Sequence, residues 1–368
     1  MDKELFTMNQ TWLQCIGCGH KANLLTERKF RCPACNNLYD IEHDYSFLPK
    51  IEGDLRTLFN SRATPVGVGL NKDPKRLSGI WRFKEWIMPY LPDKHIVTLG
   101  EGNVPISPIG RNLKRWIGGD VNVHIIQEGM TPTGSFKDFG GTTMMSIANA
   151  IGIKIIACAS TGDTSAMAAA YATKAGIECL VILPDGLVTP TQLAQPLVHG
   201  AKIITLPGDF DDCMRVMQLL VSEYGVFPAN SLNPSRIEGH QTTVFLIAQH
   251  FGWQMPDWIA APVGNGSNCS SIGKGLRLLD KFGIPGKTKI LGCQSEAANP
   301  LALSYNLATL GQWSHEDRLK EKWASNYSPI VCGETTATAA RIGSPVSRDK
   351  VMREICASKG VMRISREH

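Results

Sequence analysis

Thr131-Pro132-Thr133-Gly134-Ser135-Phe136-Lys137-Asp138 is the stretch on which the reading of this chain turns. Its Pro and Gly punctuate a turn, and its Thr and Ser supply capping hydroxyls. A helix follows, with Asp138 in the first turn and Met144, Met145, Ile147 and Ala148 recurring on its apolar side. Lys137 thus stands near a helix start, flanked by Phe136 and small residues. Desolvation disfavours an ammonium, and a neutral amine is what an aldehyde needs to form a Schiff base. Taken alone, Lys137 reads more simply as a surface lysine at an ordinary helix N-terminus. The surrounding chain reverses that.

From residue 120 onward, short apolar runs alternate with helical patterns. Strands are predicted at Val121–Gln127, Lys154–Ala159, Cys179–Leu183, Lys202–Leu206, Trp258–Pro262 and Lys289–Cys293, with a last one at Val361–Ile364. Helices are predicted near 138–150, 164–175, 190–199, 210–224, 236–251 and 269–282. This alternation means parallel sheets with covered faces, an α/β fold. Upstream, residues 46–119 read as a linker and N-terminal extension. There Trp81, Phe83, Trp86, Ile87 and Tyr90 predict an amphipathic helix ended by Pro92.

Three further stretches sit where chemistry is easily built. Ser160-Thr161-Gly162-Asp163-Thr164 follows a strand and opens an Ala-rich helix, so its hydroxyls and N–H groups make an anion site suited to a carboxylate. Gly264-Asn265-Gly266-Ser267-Asn268 lies between a strand and a helix, where glycines let the backbone approach a phosphate. It is too short for a nucleotide fingerprint, and alone it is as easily an ordinary turn. Asn230-Ser231-Leu232-Asn233-Pro234-Ser235-Arg236 is polar and turn-rich, and an arginine placed there can grip a phosphate with paired hydrogen bonds. The bland alternative is a surface pair between Arg236 and Glu238.

Four of the eleven cysteines are clustered as Cys15-Ile16-Gly17-Cys18 and, 13 residues on, Cys32-Pro33-Ala34-Cys35. Two such knuckles place four thiolates at the corners of a tetrahedron, the geometry zinc prefers, and a closed four-Cys site is structural. The other seven are scattered singly through apolar segments, which suits reduced thiols rather than a disulfide framework. At 368 residues and 43% hydrophobic, the chain is long enough for two cored domains. A net charge of +5, spread along the sequence, suits an anionic substrate without implying nucleic acid. No apolar run reaches about 18 residues and nothing at Met1-Asp2-Lys3-Glu4 resembles a signal peptide, so a cytoplasmic protein is the expectation.

In order, these segments resemble the threonine synthase family. Leu99-Gly100-Glu101-Gly102 is similar to the segment that precedes its cofactor domain, and Pro132–Asp138 to its Pro-Thr-Gly-Ser-Phe-Lys-Asp motif. Phe139 stands where the family has Arg or Leu, followed by the expected Gly140. Ser160–Thr164 matches Ser-Thr-Gly-Asn/Asp-Thr, and Asn230–Gly239 matches Asn-Ser-x-Asn-Pro-x-Arg-x-Glu-Gly. Glu334–Pro345 resembles Glu-Thr-x-Ala-(Thr/Ser)-Ala-x-Arg-Ile-Gly-x-Pro. The family's Gly-Asn-x-Gly-Asn loop is altered, with Ser267 at its second glycine and Gly266 one place earlier; a positive backbone dihedral required at 267 would distort it.

The resemblance implies a fold-type II pyridoxal-phosphate enzyme of two parallel-sheet α/β domains plus a small N-terminal zinc ribbon. The ribbon would span 8–45, a linker and the first part of the large domain 46–130, the small domain 131–232, and the large domain 233–368. It implies pyridoxal 5'-phosphate held by Lys137, with Phe136, Asp163, Gly264, Asn265, Gly266, Ser267 and Asn268 binding the cofactor. Ser160, Thr161, Thr164, Asn230, Ser231 and Arg236 would bind O-phosphohomoserine, which water converts to threonine and phosphate. Cys15, Cys18, Cys32 and Cys35 would hold a structural Zn2+. Family members continue beyond the point where this sequence stops, at what reads as a helix start, Ser365-Arg366-Glu367-His368. A C-terminally incomplete large domain, with weakened activity, is therefore expected. Two other readings stay open: a serine/threonine dehydratase or cysteate synthase of the same fold, and an impaired relative whose ribbon serves a binding role. A membrane or nucleic-acid partner is not expected; the oligomeric state is left open, a homodimer among the options.

Overall fold

The computed structural model describes residues 7, 9–47, 54–63, 73–160, 162–186, 190–208, 210–284, 286–310 and 319–366. Its N-terminal part is a small antiparallel sheet of β1 (Thr11–Cys15), β2 (Lys21–Ala22) and β3 (Tyr39–His43), in the order β2-β1-β3. Strand β1 buries alternate residues, Thr11, Leu13 and Cys15, as the two-residue side-chain period requires. Next come β4 (Ile106–Pro108) and β5 (His124–Ile126), an antiparallel pair. The strand predicted at Val121–Gln127 is thus shorter and leaves the parallel pattern, because Ile126 pairs with Ile106.

Two parallel sheets form the body. One contains β6 (Ile155–Ala159), β7 (Glu178–Pro184), β8 (Lys202–Leu206) and β9 (Phe227–Pro228), ordered β8-β7-β6-β9. The other contains β10 (Trp258–Pro262), β11 (Lys289–Ser295) and β12 (Val361–Ser365), in that order. Helices cover them at Lys137–Ala150, Asp163–Ala175, Pro190–Val198, Phe210–Tyr224, Thr242–His250 and Ser267–Lys281, close to the predicted ranges. The helix expected over 236–251 is two, Ser235–His240 and Thr242–His250. Ser365 ends β12, where its carbonyl accepts from Glu296 N at 2.9 Å; the helix start expected at 365–368 falls partly on Glu367 and His368, which lie outside the described residues.

The amphipathic helix expected at 81–90 is instead a 3-10 turn, Trp81–Phe83, and one α turn, Lys84–Ile87. Trp81, Phe83, Trp86 and Ile87 are all buried, while Lys84 and Glu85 between them stay partly exposed. Trp86 packs on Phe59, Phe245 and Phe282 with ring centroids 4.7–5.2 Å apart. Such aromatic pairs contribute beyond their burial. This knot lies under the ribbon, since Tyr45 donates to Trp86 O at 2.8 Å and sets its ring 5.1 Å from Phe282.

Candidate active site

The Thr131–Asp138 turn is locked before its helix begins. Gly134 takes a φ of +83°, a conformation that glycine adopts at little cost. Asp138 is fully buried and accepts from Thr133 N at 2.8 Å and Thr133 Oγ1 at 2.6 Å. These bonds support its carboxylate at the helix N-terminus, while burial pushes its pKa up. Helix Lys137–Ala150 is buried on nearly every side, and Lys137 is its first residue.

Lys137 Nζ stands 3.5 Å from Asp163 Oδ2 and 3.9 Å from the centroid of the Phe136 ring. Its pKa is lowered to about 8, chiefly by burial and next by the charge of Arg236; Asp163 and Glu128 oppose the shift. The side chain remains 19% exposed. A buried lysine brought near neutrality is the form that attacks a carbonyl.

Asp163 opens helix Asp163–Ala175, and Gly162 before it donates to Ser160 Oγ at 3.3 Å. Ser160, Gly162, Asp163 and Thr164 therefore share one turn beside Lys137. Thr161 lies outside the described residues.

Arg236 sits on helix Ser235–His240, 1% exposed. Its Nη1 donates to Ala229 O at 3.3 Å, while Nε and Nη2 have no partner among the described residues. Burial lowers its pKa to about 10. Removing a guanidinium from water without partners is costly, so these two nitrogens mark a place for an anion. Asn230 uses its amide on the backbone of Ala159, with bonds of 3.1 and 2.8 Å, and so chiefly fixes the turn.

Asn265 joins two sides of the cleft: its Nδ2 donates to Ser231 Oγ at 3.3 Å, and its Oδ1 accepts from Val346 N at 3.0 Å. The left-handed residue of this loop is Gly266, at φ +88°, where a Cβ would also come 2.6 Å from Val351 Cγ2. Ser267 is the first residue of the next helix, so the expected distortion at that position does not arise. Ser267 and Asn268 thus lie in the first turn of helix Ser267–Lys281, whose N–H groups lack intrahelical partners. Asn268 Oδ1 is buried without a partner among the described residues. The Glu334–Pro345 segment passes over the loop, bringing Ala340 Cα to 3.1 Å from where a Cβ on Gly264 would lie.

Two groups were not anticipated. Glu128 accepts a hydrogen bond from Thr243 Oγ1, and burial pushes its carboxyl up against that bond and the Lys137 charge. His240 is fully buried with its ring 5.2 Å from that of Phe136, and burial first, then Arg236 and Lys137, hold it neutral. The acid before the turn, Gln127-Glu128-Gly129, is a signal that could have found the first.

These residues fit pyridoxal 5'-phosphate: a mostly buried lysine, a helix N-terminus behind a left-handed glycine, and a buried guanidinium with two nitrogens that have no partner among the described residues. The ribbon cysteines fit a metal. Cys15 Sγ is 3.4 Å from Cys35 Sγ, Cys18 Sγ is 3.5 Å from Cys32 Sγ, and all four lie within 4.8 Å of one another. A tetrahedral zinc with bonds of about 2.3 Å needs sulfur separations of about 3.8 Å.

The fold and the lysine-centred cleft define a pyridoxal-phosphate enzyme of the α/β class. A family model described as "Pyridoxal-phosphate dependent enzyme" matches residues 97–363. The chain is 35% identical to the threonine synthase of Methanocaldococcus jannaschii over 331 residues, 90% of this chain and 77% of that one. It is 39% identical to that of Synechocystis, covering 78% and 69%, and 34% identical to threonine synthase 2, chloroplastic, of Arabidopsis thaliana, covering 88% and 60%. The crystal structure of Escherichia coli threonine synthase aligns over 96% of this chain and 77% of its own, with a TM-score of 0.63 and 18% identity, a likeness of fold. The chain belongs to the pyridoxal-phosphate-dependent enzymes and, among them, to the threonine synthase family.

Proposed function

We propose that the chain converts O-phospho-L-homoserine and water to L-threonine and phosphate. The observation that carries this reading is Lys137, its pKa lowered to about 8 by burial and by the Arg236 charge, near a buried guanidinium whose Nε and Nη2 have no partner among the described residues. Pyridoxal 5'-phosphate supplies the electron sink that this chemistry needs. Lys137 holds the cofactor and, once free, moves protons at Nζ between the substrate's α- and β-carbons. Asp163 sets its carboxyl group 3.5 Å from the amine. The turn from Ser160 to Thr164 receives the substrate carboxylate at a helix N-terminus. Gly264–Asn268 cradles the cofactor phosphate, and Arg236 with Ser231 and Asn265 takes the substrate phosphate.

The separate sheets β6–β9 and β10–β12 support a small domain at 131–232 and a large one at 233–368. Cys15, Cys18, Cys32 and Cys35 hold one structural Zn2+. Product analysis decides between this reading and its rival. Threonine and phosphate formed together from O-phosphohomoserine support it. Ammonia and a 2-oxo acid from serine or threonine, with no phosphate release, would make the chain a dehydratase.

A further inference from the structure

The ribbon is wired into the phosphate side of the cleft through one strand. Strand β3 pairs along β1, with Tyr39 opposite the cysteine ligand candidate Cys15. Asp40 is 3% exposed, with Lys350 Nζ 2.7 Å from Oδ1 and Arg353 Nη2 2.6 Å from Oδ2. Lys350 also donates to Tyr39 O at 2.6 Å. Both cations lie on helix Arg348–Ala357, and just before it Val346 N and Ser347 N hold Asn265 Oδ1 and O, each at 3.0 Å.

The second route starts three residues further on. His43 Nε2 is 3.5 Å from Glu238 Oε2, and its Nδ1 meets Thr11 Oγ1 at 2.9 Å. Lys274 Nζ bonds both Glu238 and Ile41 O. Glu238 is fully buried on the short helix that carries Arg236 and His240. Lys274 belongs to the helix that Gly266 and Ser267 open. Helix Ser235–His240, which carries Arg236, and helix Arg348–Ala357, whose approach holds Asn265, are therefore each tied to β3 by buried polar contacts. Cutting either contact leaves a buried group short of one partner, Glu238 keeping Lys274 and Arg353 keeping Glu354, and so loosens the helix that carries it.

We propose that Asp40 and His43 are positioning residues for the phosphate end of the site, Asp40 through Asn265 and His43 through Arg236. This rests on the reading of Arg236 and Asn265 as phosphate ligands. The test uses the cofactor-loaded 368-residue chain and three variants: His43→Ala, Asp40→Asn, and Tyr45→Phe. The last removes a ribbon-to-body hydrogen bond that leads to Trp86 and not to the cleft. The KM for O-phosphohomoserine and the inhibition constant for inorganic phosphate should rise about tenfold in the first two, with kcat changed less than about threefold. Cofactor affinity should hold, and Tyr45→Phe should move neither constant. Should Asp40→Asn fail to fold, His43→Ala decides alone.

Amide hydrogen exchange gives a readout free of any substrate. Exchange at 235–241 should quicken in His43→Ala and at 346–350 in Asp40→Asn, with helix Asp163–Ala175 unchanged. Faster exchange confined to the ribbon, or equal kinetic effects in all three variants, would overturn the proposal. A wild-type protein that releases no phosphate counts against the proposed reaction instead, while the exchange result still decides the coupling.

Discussion

Gly239 lies so close to Phe139 that a Cβ built on it would stand 1.7 Å from the Phe139 carbonyl oxygen. The contact is reciprocal: a Cβ on Gly140 would come 2.7 Å from Arg236 O and 2.5 Å from His240 Nε2. The helix that starts at Lys137 and the helix that carries Arg236 are thereby held backbone to backbone. That crossing sets the spacing of the two backbones from which the Lys137 and Arg236 side chains extend.

Gly239→Ala should destabilise the protein despite alanine's better helix propensity. That propensity is worth about 1 kcal/mol, and overpacking a core costs typically 1–3 kcal/mol. Backbone that cannot yield puts this site at or beyond the upper end. A denaturant titration should show a lower midpoint, and a raised midpoint would mean the helices separate freely.

Lys137 should behave as an amine of pKa about 8. Its neutral fraction grows as pH rises through that value, so capture of pyridoxal 5'-phosphate by cofactor-free chain should accelerate between about pH 7 and 9. Asp163→Asn removes a charge that favours the ammonium, so the midpoint should fall. A midpoint near the ordinary lysine value in stopped-flow absorbance would contradict the burial argument.

Arg236→Ala should weaken O-phosphohomoserine much more than cofactor. A charge-assisted hydrogen bond is worth roughly 1.5–3 kcal/mol, so KM should rise about ten- to a hundredfold. Equal losses for substrate and cofactor in parallel titrations would assign Arg236 to the scaffold.

The ribbon should carry one zinc per chain, measured by elemental analysis of protein purified without chelator. Cys18→Ser should lose it, because a closed site needs all four thiolates. Full zinc content in that variant would place the metal elsewhere.

Much of this was legible in the sequence because elements are encoded locally. Strands β8 and β10 fall where apolar runs predict them, and the helix starts at Lys137, Asp163 and Ser267 follow from turn chemistry that is likewise local. What was not legible is contact between distant residues. Asp40 meets Lys350, and Trp86 is enclosed by Phe59, Phe245 and Phe282; no periodicity marks either arrangement. Glu128 and His240 are ordinary polar residues until tertiary packing buries them beside Lys137 and Phe136. The Ser267 question failed for a related reason: a motif fixes residue types, and only the backbone shows that the left-handed position falls on Gly266.

The central claim is that Lys137 is the residue that holds the cofactor. Protein saturated with pyridoxal 5'-phosphate should be reduced with borohydride, digested and mapped by mass spectrometry. The account predicts a phosphopyridoxyl group on the peptide containing Ser135-Phe136-Lys137 at close to one per chain, and none there in Lys137→Ala. A stoichiometric label on any other lysine, or an unlabelled Lys137 peptide in the wild type, would contradict it.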